Sequence, residues 1–478
     1  MRYISTRGYG ADRDLGFTDI LLEGLAPDGG LYVPETYPTI TADDLTRWRS
    51  LLAETGYAAV AAEILARFAD DIDPAELRAM CDRAYTAEKF GTTTVAPVTK
   101  LEDGLFLAHL SEGPTAAFKD MAMQLLAQFF DAALAKRDTR LTIVGATSGD
   151  TGSAAEHAML TVDRVQVFML SPEGRMTPFQ RQQMYGIDDP RVVNVVVPGS
   201  FDDCQDLVKA VNADAAFKSR HRIGAVNSIN WARIVAQVVY YITSWIQVAE
   251  DPGDEISFAV PSGNFGNILS AHVARMMGLP IRRLICATNE NNVLAEFFET
   301  GVYRIRSSQE THATSSPSMD ISKASNFERF FFDLTGRDVA TTARMFGEEL
   351  ATSGVIDISG SPLIGEVSAS YGFVAGTSTH ADRVATIAEV HRDQGVLIDP
   401  HTADGVTVAR RFVGEEPIVV TETALPVKFA ATIREAIGAD PEIPPRFAGV
   451  MDSAEHIVPC HKDVEELKGI IEERSLIR

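Results

Sequence analysis

Three stretches of the chain place reactive or anion-binding side chains where a turn or strand gives way to a helix. In "EGPTAAFKDMAMQLLAQFF" (Glu112 to Phe130), Lys119 stands at the start of an apolar stripe formed by Phe118, Met121, Ala122, Leu125, Leu126, Phe129 and Ala133. A cation there faces the positive end of the helix dipole. Either the amine points to water, which is the plainer reading of this stretch by itself, or it is kept less charged than usual. The second state is that of a nucleophilic lysine able to form a Schiff base. In "LTIVGATSGDTGSAAEHAML" (Leu141 to Leu160), a strand ends at Ala146, and Thr147, Ser148, Asp150 and Thr151 are interleaved with Gly149 and Gly152 before a helix of small residues. Glycines let the backbone approach a ligand, and hydroxyls beside a helix N-terminus suit a carboxylate or phosphate. A simple helix cap would need only one of those hydroxyls. "ISFAVPSGNFGNILSAHVARMMG" (Ile256 to Gly278) repeats the arrangement with Ser262, Gly263, Asn264, Phe265, Gly266 and Asn267. It matches neither the dinucleotide fingerprint nor a Walker loop. One two-glycine turn says little, whereas a pair of them in one chain points to two anions. In "VTETALPVKF" (Val420 to Phe429), Thr423 ends a buried strand, and turn chemistry before Pro426 explains it as well as function does.

The elements that must position these residues have a simple rhythm. From about residue 96, "LFLAHL", "LTIVGA", "VQVFML", "RVVNVVVP", "ISFAVP" and "RRLICAT" are short apolar runs, most followed by a helical segment. Such alternation implies a largely parallel sheet wrapped by helices, with ligands at the carboxyl ends of the strands. "GVLIDPHTADGVTVARRFV" and "PIVVTETALPVKF" repeat the pattern late in the chain. Residues 1–95 read as mainly helical, with helices near 41–54, 56–69 and 74–86 after the turn-rich "GLAPDGGLYVPE". The tail "DVEELKGIIEERSL" reads as an amphipathic helix covering the surface.

At 478 residues the chain exceeds one ordinary core, and its 45% hydrophobic and 23% charged residues are those of a soluble globular protein. A net charge of −23, spread along the chain, argues against nucleic acid or an anionic membrane as partner. Any phosphate must therefore be held by local loops. The start has no secretory pattern, and "ARIVAQVVYYITSWIQVAE", with Arg233, Gln237 and Gln247, reads as a buried helix. Cys81, Cys204, Cys286 and Cys460 are far apart, which suits a reducing cytoplasm, and neither they nor the scattered histidines form a metal signature.

Taken together, the stretches resemble pyridoxal-phosphate enzymes of the tryptophan synthase β-family, fold type II. More narrowly, they are similar to the threonine synthase family in its longer bacterial and fungal form. The resemblance runs nearly end to end, through "STRG", "GLAPDGGLYVPE", "EGPTAAFKD", "ATSGDTGSAA", "SFDDCQ", "NSINWARI", "PSGNFGN", "SPSMDISKASNFER", "DPHTADG" and "TALPVKF" in the family's order. It implies an α/β, two-lobed fold with mostly parallel open sheets plus a mainly helical N-terminal domain. The implied divisions are 1–95 for that domain, 96–450 for the catalytic region and 451–478 for a helical tail. It implies pyridoxal 5'-phosphate as cofactor, with Lys119 as the Schiff-base lysine. Gly263, Asn264, Phe265, Gly266 and Asn267 would then hold the cofactor phosphate, and Thr423 would face the pyridine nitrogen. Asp150 sits where many relatives on this fold have an asparagine beside the ring hydroxyl. Thr147, Ser148 and Thr151 match the loop that receives the substrate, while Ser200, Asn227, Asn230 and Arg233 would approach from the opposite wall. Helix capping around Asn227 would explain these residues nearly as well. His401 and Thr402 lie in a motif near the site, and Leu425 departs from the family's frequent histidine. The implied reaction turns O-phospho-L-homoserine and water into L-threonine and phosphate, by γ-elimination and then β-addition of water. The expected protein is cytoplasmic, monomeric or homodimeric, and binds no nucleic acid or membrane. A pyridoxal-phosphate ammonia lyase, a phospho-lyase giving 2-oxobutyrate, and a non-catalytic cofactor-binding regulator are the alternatives.

Overall fold

Short β-branched runs alternating with helices build two mostly parallel sheets. The computed structural model describes residues 1–477 apart from Ala225, Asn227 and Ser308. The larger sheet has six strands in the order Phe373–Thr377, Ile281–Thr288, Ile256–Pro261, Ile418–Thr421, Leu105–Ala108 and Val98–Glu102. Neighbours are parallel except the last two, which form an antiparallel pair at the edge. The smaller sheet has five parallel strands, Ile457–Pro459, Val192–Val197, Val165–Pro172, Leu141–Ala146 and Ile223–Gly224. Every residue of Ile256–Pro261, Val165–Pro172 and Val192–Val197 is buried. Helices cover both faces of such strands, and continuous apolar runs replace the alternation of a half-exposed sheet. This is the α/β, two-lobed fold expected from the sequence.

The N-terminal region contains helices Phe17–Glu23, Ala42–Thr55, Tyr57–Leu65 and Pro74–Ala84, plus an antiparallel ribbon of Tyr3–Ser5 with Tyr32–Pro34. Thr41 and Asp73 cap the second and fourth helices by accepting from backbone N–H groups. The region is not a separate globule. Tyr3 packs against Trp231 at 6.4 Å between ring centroids, and Phe17 against Phe129 at 5.1 Å, within one continuous core. The apolar stretch around Arg233 forms the helix Trp231–Val248, buried from Trp231 through Ile246. Among the described residues, no helix is long and apolar enough to cross a membrane.

Two local expectations change. "GVLID" forms no strand. Ile398 packs with Ala259, Ile285 and Val420 of the six-stranded sheet, whose edge is taken by Phe373–Thr377. The tail does form the helix Val464–Arg474, but it is more than a cover. Ile457–Pro459 adds an edge strand to the smaller sheet, and Leu467 and Ile471 belong to that sheet's apolar cluster.

Candidate active site

The site lies where strands of both sheets end. Leu105–Ala108 of the larger sheet leads through a loop to Lys119, the first residue of the helix Lys119–Lys136. Leu141–Ala146 of the smaller sheet leads to Asp150, the first residue of Asp150–Met159. The two meet directly, with Lys119 Nζ 3.3 Å from Asp150 Oδ2. The amine therefore points into the protein and not to water, which settles the first question the sequence raises. Burial pushes its pKa down against the attraction of Asp150, and the like charges of Lys428 and Arg233 push the same way as burial. Asp150 behaves oppositely. Burial disfavours its charge, yet Lys428 and Lys119 hold the carboxylate well below its ordinary range.

The loop before Asp150 is locked from inside. Thr147 Oγ1 accepts from the N–H groups of Gly149 at 3.0 Å and Gly152 at 2.8 Å. Gly149 adopts φ +139°, and a Cβ there would meet Gln180 Cδ at 2.7 Å, so the turn needs glycine. Thr147 is buried by this role, whereas Ser148 is exposed and Thr151 half-buried.

The second glycine turn, after Ile256–Pro261, starts the helix Gly266–Met276. Phe265 takes a left-handed backbone, φ +64° and ψ 0°, in the N-cap position. It holds that conformation because its buried ring is clasped by Phe298, Phe327, Phe330 and Phe373. Gly263 passes so close to the 317–319 turn that a Cβ would lie 3.1 Å from both Met319 Cα and the Ser318 carbonyl oxygen. Gly266 is nearly as crowded, its Cβ position lying 3.2 Å from Asn326 Nδ2. The Asn264 carbonyl accepts from the Asn326 backbone N–H at 3.1 Å, tying the loop to the start of the helix Phe327–Leu334. The Asn267 side-chain oxygen accepts from the hydroxyls of Tyr240 and Tyr241.

Thr423 follows Ile418–Thr421. Its N–H donates to Thr402 Oγ1 at 3.0 Å, while its own hydroxyl is buried without a partner among the described residues. Arg233, in the first turn of Trp231–Val248, is 4% exposed, and its Nε and Nη1 also lack partners. Burial pushes its pKa down to about 10. A desolvated guanidinium with open donors can bind an anion strongly.

Two of the residues expected on the substrate's opposite wall are engaged within the fold. Both polar atoms of the Asn230 side chain have partners. Its Oδ1 accepts from Ala232 N–H at 3.0 Å and its Nδ2 donates to the Leu21 carbonyl at 2.9 Å, so it caps a helix and ties it to the N-terminal region. Ser200 caps Phe201–Ala213, exchanging hydrogen bonds with Asp203 at an exposed helix start. Asn227 lies outside the described residues.

Several residues that the sequence did not single out complete the cluster. Lys428 Nζ lies 2.8 Å from Asp150 Oδ1, Gln180 Nε2 donates to that same oxygen at 2.9 Å, and Ser318 Oγ donates to Oδ2 at 2.8 Å. The Ser318 N–H donates to His401 Nε2 at 3.0 Å, and His401 Nδ1 donates to Asp399 at 2.6 Å. Those two bonds describe a neutral imidazole protonated on Nδ1. The arrangement offers a buried amine whose pKa burial pushes down, a hydroxyl and a guanidinium with open donors among the described residues, and two glycine-lined helix starts.

Comparison with known proteins gives a consistent result. The family described as pyridoxal-phosphate dependent enzyme matches residues 88–423. It is flanked by matches to the threonine synthase N terminus over residues 2–85 and to the threonine synthase C-terminal region over 402–471. The chain is 57% identical over 473 residues to a threonine synthase of Corynebacterium glutamicum, covering 98% of each chain. It is 51% identical over 482 residues to one of Methylobacillus glycogenes, covering 99% of this chain and all of the other. The fold superposes on the crystal structure of a PLP-bound threonine synthase from Brucella melitensis with a TM-score of 0.93 at 42% identity, covering 100% of both chains.

Proposed function

The chain belongs to the threonine synthase family of pyridoxal-phosphate-dependent enzymes, and from that premise we propose that it converts O-phospho-L-homoserine and water into L-threonine and phosphate. The observation that carries the proposal is the buried Lys119 amine, held by Asp150 between two glycine-lined helix starts. When bound, the cofactor supplies an aldehyde that captures amines and a conjugated ring that spreads negative charge.

The residues present fit that group. Thr423 offers a buried hydroxyl with no other partner, suited to the ring nitrogen. A neutral hydroxyl does not hold that nitrogen protonated as a carboxylate would. The turn at Gly263, Asn264, Phe265, Gly266 and Asn267 offers backbone N–H groups at a helix N-terminus for the cofactor's phosphate, with no room at Gly263 for a side chain. Lys119 would hold the aldehyde carbon, and Asp150, 3.3 Å from its amine, would face the ring hydroxyl.

The same residues account for the proton traffic. Lys119 would act as a base only in its neutral form, which its burial favours. Its single flexible amine can take the protons from Cα and Cβ and return one to Cγ and one to Cα. Phosphate leaves Cγ, and water adds its hydroxyl at Cβ while its remaining proton goes to the released phosphate. Ser148, Thr151 and the helix start at Asp150 receive the substrate's anionic groups, Thr147 holds that loop in shape, and Arg233 supplies the positive charge a departing phosphate requires.

The test is to mix the cofactor-loaded protein with O-phospho-L-homoserine and measure phosphate, threonine and 2-oxobutyrate together. Equal phosphate and threonine are expected. Phosphate with 2-oxobutyrate would keep the site and overturn the product, and no phosphate would overturn the substrate. Lys119→Ala should lose both the visible absorbance of bound cofactor and turnover, the latter by more than ~10³-fold.

A further inference from the structure

Asp150 holds two lysines, one on each oxygen. Lys119 Nζ is 3.3 Å from Oδ2, and Lys428 Nζ is 2.8 Å from Oδ1. Lys428 also donates to the Thr115 carbonyl at 2.7 Å, and its side chain is entirely out of water. An ammonium so placed is tolerated only opposite an anion, and Asp150 is the carboxylate bonded to it. An aspartate facing Lys119 alone would favour the charged amine, the wrong state for a nucleophile and base. With Lys428 the pair is neutral overall.

We propose that Lys428 is a positioning residue that takes up the charge of Asp150 and so leaves Lys119 free to give up its proton. This rests on the reading of Lys119 as the cofactor-bearing lysine. The other charged or titratable groups around the cluster are Arg233 facing Lys119, His401 facing Asp150, and Asp120 and His157 facing Lys428. Arg233 adds to the effect of Lys428 on Lys119. His401 is neutral by its hydrogen bonds, and Asp120 is engaged by Thr115 at 2.7 and 2.8 Å. Lys428 is therefore the cation that shares Asp150 directly with Lys119. The downward shift of Lys119, and the retention of charge by Asp150 despite burial, agree with this division.

The experiment follows the full-length protein, stripped of cofactor, as Lys119 captures added pyridoxal phosphate. Capture is read as the initial rate of visible absorbance change from neutral to alkaline pH, so no turnover is involved. The rate rises as the amine loses its proton, and the inflection reports Lys119. Lys428→Met should move that inflection upward by about one pH unit or more, because Asp150 then acts on Lys119 alone. Lys428→Arg, which keeps the charge, should return it. A folded Lys428→Met with an unmoved inflection overturns the proposal. If that variant does not fold, Asp150→Asn is compared with Asp150→Asn/Lys428→Met. The single change leaves Lys428 unopposed and should move the inflection down, and the double change should bring it back up. Identical inflections in those two overturn the proposal. Absence of capture by the unsubstituted chain would defeat the reading of Lys119 itself and this inference with it.

Discussion

A buried amine serves as base and nucleophile only if its surroundings do not hold it as an ammonium. At Lys119, burial outweighs the attraction of Asp150, and two further cations push in the same direction. Lys119 stood out in the sequence because a lysine at the start of an apolar helix is out of place on dipole grounds. The plainer reading of that stretch nevertheless left its amine in water, and the family resemblance made it the Schiff-base lysine. Lys428 did not stand out. It stands in the apolar "ALPVKF", and only tertiary folding brings it to Asp150. Ser318 is likewise 168 residues from the aspartate it meets. Arg233 was legible only through family resemblance, and its unpaired Nε and Nη1 give that reading a physical basis. Arg233→Met keeps the apolar stem and removes the donors. If Arg233 takes the substrate phosphate, kcat/KM for O-phospho-L-homoserine should fall roughly 10- to 100-fold, the worth of one or two charge-assisted hydrogen bonds. Cofactor absorbance should be unchanged. Steady-state kinetics beside an absorbance spectrum checks both, and an unaltered kcat/KM would remove Arg233 from the substrate site.

The element we propose to hold the cofactor phosphate is the turn into Gly266–Met276. Its shape depends on a left-handed Phe265 and on Gly263 lying against the 317–319 turn. The two glycines were visible in the sequence, but the reason for the first was not, because the turn that crowds it comes more than fifty residues later. Gly263→Ala forces that turn back by a few tenths of an ångström. Overpacking of this kind costs about 1–3 kcal/mol. Set against cofactor binding, that predicts retention weakened roughly 10-fold, measured by absorbance after dialysis. The helix Asp150–Met159 carries a different strain. Glu156 is wholly buried, neither carboxylate oxygen has a partner among the described residues, and burial pushes its pKa well above the ordinary value. The folded state therefore holds that proton more tightly than the unfolded chain does. Stability from this group is full below about 4.5, the ordinary glutamate value, and is lost as pH rises above it. Glu156→Gln has nearly the same shape and does not titrate. Its stability relative to the unsubstituted chain should therefore grow with pH by up to ~1.4 kcal/mol per unit. Melting curves at mildly acidic and alkaline pH would show it, and a difference independent of pH would mean that Glu156 is charged in the fold.

Across the whole molecule, the alternation of strand and helix was readable because buried parallel strands leave unbroken apolar runs. The boundaries were less so. Ile457–Pro459 is three residues long with two exposed side chains, which is too short and too polar to announce a strand, yet it joins the tail to the smaller sheet. The break at residue 95 marks a change in rhythm, but the cores on either side of it are continuous. We propose the divisions at 95 and 450 as segments of sequence that fold together. The N-terminal region is also fastened by polar contacts. Arg7 donates to Glu328 at 2.9 and 2.8 Å, Thr6 Oγ1 donates to the same carboxylate at 2.7 Å, and Tyr37 donates to Asp333 at 2.8 Å. Glu328→Leu leaves the Arg7 guanidinium largely buried and unpaired. The cost of breaking a buried pair, reduced because Arg7 keeps some access to water, is about 2 kcal/mol. In scanning calorimetry one cooperative transition should therefore move down as a whole, by roughly 2–4 °C. An N-terminal region folding by itself would instead melt as a second peak, and only that peak would respond to Glu328→Leu, because the central sheets would no longer depend on it. A shared core cannot behave that way. Separating Tyr3 from Trp231 and Phe17 from Phe129 exposes the buried helices on which both glycine turns rest, so loss of the N-terminal fastening and loss of cofactor should occur at the same temperature.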